Sequence, residues 1–138
     1  KKIGKSNIIV EGKDNLIISV GNILGYAVEI SQKLKKEKIH NAVMDLRFIK
    51  PLDDKSLRIV HKKYKNIFII EEHYISGGVG SSIIEWTKKK KLSSENIFLM
   101  GAENKFINFS GNQSSARDKA GLNVDFITKK IKKILKKN

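Results

Sequence analysis

Short apolar runs alternate with segments whose apolar residues recur every three or four positions. Leu16 to Val20 (LIISV) is continuous and ends at Gly21, which predicts a buried strand. Ile23, Leu24, Ala27, Val28, Ile30 and Leu34 then follow helical spacing, until Lys35 to Lys38 close the pattern. Ala42 to Leu46 predicts a second strand. After Pro51, Asp53 or Asp54 can cap a helix carrying Leu57, Ile59, Val60 and Tyr64. Asn66 to Ile70 predicts a third strand and Ser81 to Thr87 a third helix with Ile83, Ile84 and Trp86. Asn96 to Met100 predicts a further strand, stopped by Gly101. Ile8 to Val10 adds an edge strand, expected to run antiparallel. Residues 102–121 read as a long polar loop containing Gly111 and Gly121. Phe126, Ile127, Ile131, Ile134 and Leu135 predict a docked C-terminal helix.

Strands alternating with amphipathic helices predict right-handed crossovers and a parallel sheet covered on both faces. The expected architecture is therefore a three-layer α/β fold of about five strands, mostly parallel but mixed, with helices on both faces. At 138 residues the chain has room for one domain, spanning 1–138. No internal repeat or flexible linker interrupts it. The chain begins at Lys1, with no basic-then-apolar leader before the first strand-like run. It is expected to be a fragment of, or processed from, a longer protein.

Charge changes this picture little. The net charge is +14, but arginine occurs only at Arg47, Arg58 and Arg117. Bidentate phosphate and base contacts favour arginine. The lysines gather in runs such as Lys88 to Lys91, where a solvated surface or a helix C-terminus places them. A lysine-rich surface, with neither nucleic acid nor membrane as partner, is the expectation. No apolar run approaches the roughly 20 residues of a membrane span. Cysteine is absent, so neither disulfides nor thiolate chemistry is available.

Candidate chemistry lies where a parallel sheet ends. Glu71, Glu72 and His73 could in principle perform acid–base work or ligate a metal, yet no second acidic or histidine cluster stands at ligand spacing. Adjacent strand residues face opposite ways, which separates the two carboxylates. Gly77, Gly78 and Gly80 lead into a helix, as a phosphate loop would. The lysine of GxxxxGK[ST] and the third glycine of GxGxxG are both missing, so a tight strand-to-helix turn is the better reading. Arg47 can meet an anion or a carboxylate of a neighbouring domain, or simply lie on the surface. Pro51 holds Lys50 extended and delimits the next helix. His40 and His61 read as isolated surface positions. No GxSxG elbow is present.

Three blocks, taken in order, resemble the C-terminal domain shared by transketolases, 1-deoxy-D-xylulose-5-phosphate synthases and the beta chains of 2-oxo-acid dehydrogenases. They are EGKDNLIISVG (residues 11–21), DLRFIKPLD (45–53) and EEHYISGGVGSSIIE (71–85); Gly121-Leu122 before a final helix matches the family's close. The second block is most similar to the synthases and the third to both synthases and two-chain transketolases. The synthases' Pro and Asp after the last core strand are missing from Gly101-Ala102-Glu103-Asn104-Lys105.

The resemblance implies a cytoplasmic enzyme that uses thiamine diphosphate and magnesium to transfer a two-carbon unit between sugar phosphates, or to condense pyruvate with glyceraldehyde 3-phosphate. The cofactor's ylide stabilises the carbanion. It implies that both groups sit between the preceding pyrophosphate- and pyrimidine-binding domains, which are this domain's partners in a homodimer. No catalytic, cofactor-binding or metal-ligating residue is then expected in this chain, which is expected to be inactive alone. Arg47, Pro51, Glu71, Glu72, His73, Gly77, Gly78 and Gly80 are expected to serve structural or inter-domain contacts. Two other readings are a docking module like that of a dehydrogenase beta chain and a basic nucleic-acid-binding domain.

Overall fold

The computed structural model describes residues 8–48, 53–72, 78–102 and 113–136. Five strands and four helices follow the order β1 (Ile8–Val10), β2 (Asn15–Val20), α1 (Leu24–Lys35), β3 (Asn41–Asp45), α2 (Asp54–Lys63), β4 (Asn66–Glu72), α3 (Val79–Lys89), β5 (Ile97–Ala102) and α4 (Gln113–Lys136). A 3-10 turn at Leu46–Phe48 leaves β3.

The strands assemble in the order β1-β3-β2-β4-β5. β1 is antiparallel to β3, and every other pairing is parallel. The sheet is thus mixed only at one edge. Alternation along the central strands splits the core into two layers. Leu16, Ile18, Met44, Ile67 and Ile69 pack under Val60 of α2, Tyr64 just after it and Ile83 of α3. Ile17, Val43, Phe68 and Ile70 pack under Ala27, Ile30 and Leu34 of α1 and Val124, Ile127 and Ile131 of α4. These strands are buried on both faces, which explains why they read as continuous apolar runs. Helices on both faces follow from crossovers of one hand that move first one way along the sheet and then the other.

Local chemistry sets the boundaries. Asp53 caps α2, its carboxylate accepting the Ser56 N–H at 2.6 Å, and this settles which aspartate does so. α1 stops at a left-handed turn, with Lys38 at φ 64° and the Ile39 N–H donating to Leu34 O at 3.0 Å. Asn15, Asn41 and Asn66 open β2, β3 and β4 in mutual register. Asn66 Nδ2 donates to Asn15 Oδ1 at 2.9 Å, Asn15 Nδ2 to His40 O at 3.4 Å and Asn41 Nδ2 to Ile39 O at 3.3 Å. This asparagine row ties together the places where three strands begin, although Asn41 Oδ1 has no hydrogen-bond partner among the described residues.

The structure corrects two expectations. Part of the segment read as a loop over 102–121 is helical, because α4 starts at Gln113 and runs through Gly121. Its first turns hold no apolar stripe, so hydrophobic periodicity could not reveal them. His61 is not isolated: its Nε2 lies 2.8 Å from Ser93 O, and its ring meets Trp86 edge-on. Among the described residues no helix is long and apolar enough to cross a membrane.

Candidate functional site

In an open parallel sheet, ligands gather outside the carboxyl ends of the strands, where neighbouring strands connect in opposite directions. Here β2 leads through α1 to β3 on one side, whereas β4 leads through α3 to β5 on the other. The switch point therefore lies between the ends of β2 and β4, which pair Val20 with Glu71. Gly21 and Asn22 follow one strand; Glu71 and Glu72 end the other.

The two glutamates face opposite layers, as strand alternation requires. Glu72 turns towards α1: it is 1% exposed, and its Oε2 accepts the Asn22 N–H at 2.8 Å. Glu71 turns towards α3 and accepts the Gly80 N–H. Glu71 thus reaches the first turn of α3, where unpaired N–H groups and the helix dipole favour negative charge, whereas Glu72 holds the turn just before α1, one residue ahead of its N-cap Ile23. Neither α1 nor α3 has an acidic residue in its first turn or a capping side chain of its own. For α3, β4 supplies from a distance the acceptor that the helix's local sequence lacks.

The glycines make this arrangement possible. Gly21 has φ 94°, and a Cβ there would sit 2.7 Å from Glu72 Oε2. Gly78 caps α3 in the left-handed region at φ 82°. A Cβ on Gly80 would meet Leu99 Cδ2 at 2.6 Å and Glu71 Oε1 at 3.1 Å. The glycine segment is thus a strand-to-helix turn, and the amide that an incoming phosphate would seek is already donating to Glu71.

Arg47 lies at the end of β3. Its Nε and terminal nitrogen donate to Asp45 Oδ2 at 3.1 and 2.9 Å, and its backbone N–H donates to Asp45 Oδ1 at 3.1 Å. Asp45 is fully buried, while the arginine side chain is half exposed. Hydrogen bonding to Asp45 raises the guanidinium pKa further above its ordinary value. The pair fixes an arginine plane at the carboxyl edge, in the geometry suited to a carboxylate or phosphate. Nearby, burial and then the charges of Glu29 and Glu72 push the Tyr26 hydroxyl upward.

The structure therefore brings Glu71, Gly78 and Gly80 together on one face, sets Glu72 with Asn22 on the other, and places Arg47 one strand further along. Pro51, His73 and Gly77 lie outside the described residues. Among the described residues, no three His, Asp or Glu side chains converge as metal ligands. Glu71 and Asp45 already serve a helix and an arginine, so the described groups at this edge are engaged within the domain itself. What the sequence reading missed is the partner of each glutamate. The signal was present only as a lack: helices α1 and α3 begin without local caps.

Fold and edge together define a doubly wound α/β domain whose switch point is spanned by the Glu72–Asn22 hydrogen bond. The chain belongs to the transketolase C-terminal domain family, whose model matches residues 4–102. It is 36% identical over 134 residues to the 1-deoxy-D-xylulose-5-phosphate synthase of Dictyoglomus turgidum, covering 97% of this chain and 21% of that protein. The synthase of Aquifex aeolicus is 30% identical over 135 residues, covering 98% and 21% respectively. The chain thus spans about a fifth of the length of these curated relatives. Among solved structures, a split-gene transketolase described as an inactive beta4 tetramer shares the fold, with a TM-score of 0.61 and 23% identity. The similarity covers 89% of this chain and 40% of that one.

Proposed function

We propose that residues 1–138 form one assembly domain of a thiamine-diphosphate enzyme of the 1-deoxy-D-xylulose-5-phosphate synthase or transketolase type. The observation that carries this reading is the asymmetry of coverage: the relatives match almost all of this chain, yet the chain accounts for about a fifth of them. The remaining four fifths would house thiamine diphosphate and magnesium and carry out the two-carbon transfer or the pyruvate condensation in the cytoplasm. The role of this domain is to hold pyrophosphate- and pyrimidine-binding domains in a productive homodimer. Its carboxyl edge suits that task. Glu71 and Glu72 stiffen the starts of α3 and α1, and Arg47 presents a fixed cation to a neighbouring domain. Pro51, His73 and Gly77 are assigned the same structural or inter-domain role from the sequence motif.

The test compares the full-length enzyme with a version lacking this segment. Removal is expected to abolish the dimer in size-exclusion chromatography and to suppress turnover of both pyruvate with glyceraldehyde 3-phosphate and ketose donors. The isolated chain is expected to show no heat of binding with thiamine diphosphate and Mg²⁺. Stoichiometric binding of the cofactor by the isolated chain would overturn the proposed division of labour.

A further inference from the structure

The opposite end of the sheet, where the strands begin, holds a cavity of about 370 Å³. Three turns converge on it: the one before β2 contributes Lys13, the α1–β3 turn contributes Lys38 and His40, and the α2–β4 turn contributes Lys65. The buried amides of Asn15 and Asn66 line it as well. We propose that this cavity binds a small phosphorylated anion through Lys13, Lys38 and Lys65, with the Asn15–Asn66 pair as its floor. The proposal is independent of the carboxyl-edge reading.

Three observations carry it. First, the charge there is unbalanced. Lys33, Lys90 and Lys132 each reach a carboxylate, but none of Lys13, Lys38 and Lys65 makes an ion pair among the described residues. Among the described residues, Asp14 is the only carboxylate in the lining against three ammonium groups. Second, the backbone is held in a less favourable form at this place. Asp14, which lines the cavity, lies at φ 63°; Lys38, at 64°, also lines it but is the ordinary left-handed close of α1. Such conformations persist only where surrounding bonds enforce them. The Asp14 carbonyl accepts from Lys65 N at 2.6 Å and Asn66 N at 3.0 Å, which locks two of the turns together. Third, the floor is prearranged, since Asn66 and Asn15 are linked side chain to side chain at 2.9 Å and Asn15 is tied to His40 O.

The ordinary explanation for lysines here is neutralisation of helix C-termini. It does not account for Lys38. α1 already has Lys33 and Lys35 in its last turn, and its end is closed by the Lys38 and Ile39 N–H groups. Lysine suits phosphate as a point charge, and a phosphate ester offers up to two negative charges and three acceptor oxygens. The cavity volume falls within the range of small-molecule sites.

The experiment is a titration of the ¹⁵N-labelled chain with inorganic pyrophosphate, ionic strength being held constant with NaCl. Saturable shifts of the Asn15 and Asn66 side-chain amides are expected. Lys13→Gln/Lys65→Gln is expected to weaken binding by about tenfold or more, given the usual strength of charge-assisted contacts. Lys129→Gln/Lys130→Gln, on exposed positions of α4, is expected to leave it unchanged. All four lysines are exposed, so these variants keep the fold, which the same spectra report. Shifts that do not saturate, or an equal loss from both double substitutions, would mean diffuse attraction to a basic chain and would overturn the proposal. So would saturable shifts confined to residues outside the cavity.

Discussion

Glu72 and Asn22 are fifty positions apart in sequence, yet the Glu72 carboxylate accepts the Asn22 N–H at 2.8 Å. The bond joins the end of β4 to the entry of α1 across the switch point, beneath a Gly21 that has no room for a side chain. Glu71, its neighbour, does the same for α3 on the opposite face. Two consecutive charged residues at a strand end, which resemble half of an acid–base pair, instead serve as long-range acceptors for two helices.

Replacing Glu72 by Ala is therefore expected to destabilise the isolated chain by about 1 kcal/mol, the usual net contribution of a hydrogen bond whose donor, on the exposed Asn22, can turn to water. Glu72→Gln, which keeps an acceptor oxygen, should lose less. Urea unfolding measures both. Equal stability of Glu72→Ala and the unsubstituted chain would show that the carboxylate serves only groups outside this domain.

The glycines allow steric and conformational costs to be separated. A Cβ at Gly78 meets nothing within 4 Å, so Gly78→Ala should cost only the left-handed backbone term, about 1 kcal/mol. Gly21→Ala adds a clash with Glu72 to the same backbone term and is expected to be clearly worse. Thermal unfolding of the two variants gives the ranking, and an inversion would contradict the packing described for Gly21.

How much of this was legible in the sequence depended on the physical signal each feature leaves. The strands and α1 to α3 were legible because burial imposes periodicity on Ile17, Phe68, Ile30 or Ile83 alike. The opposite orientation of Glu71 and Glu72 followed from strand alternation. The partners of the two glutamates were not legible, since Asn22 and Gly80 contribute backbone N–H groups that any residue type possesses. The asparagine row had a faint signal: an Asn stands at the start of β2, β3 and β4 and just before β5, where Asn96 Nδ2 donates to Lys65 O. Only the register reveals that these residues meet. The first turns of α4 left no hydrophobic pattern at all.

Acid should weaken the start of α2 in a defined direction. The Ser56 backbone hydrogen bond holds the Asp53 carboxyl below its ordinary pKa of 3.8, and hydrogen bonding to Arg58 does the same for Asp54. A depressed pKa contributes stability above the unfolded value, and that contribution disappears as pH falls through the folded value. Asp53→Ala should therefore melt below the unsubstituted chain at neutral pH, and the gap should narrow towards about pH 2.5. A gap that stays constant over this range would show that the aspartate's charge contributes nothing to the cap.

The Asp45–Arg47 pair distinguishes a local role from an inter-domain one. Asp45 is buried and Arg47 half exposed, so removing the guanidinium leaves a buried carboxylate without its counter-ion. Arg47→Gln is therefore expected to lower the urea midpoint of the isolated chain more than Asp45→Asn does. The double substitution should recover part of the loss, because it removes the stranded charge. In the full-length enzyme the same Arg47→Gln change should also weaken the dimer, whereas Asp45→Asn, which leaves the guanidinium in place but less firmly held, should weaken it less. An isolated chain indifferent to Arg47→Gln would mean that Asp45 is satisfied without its arginine. The contact with a neighbouring domain would then be the whole of what Arg47 contributes.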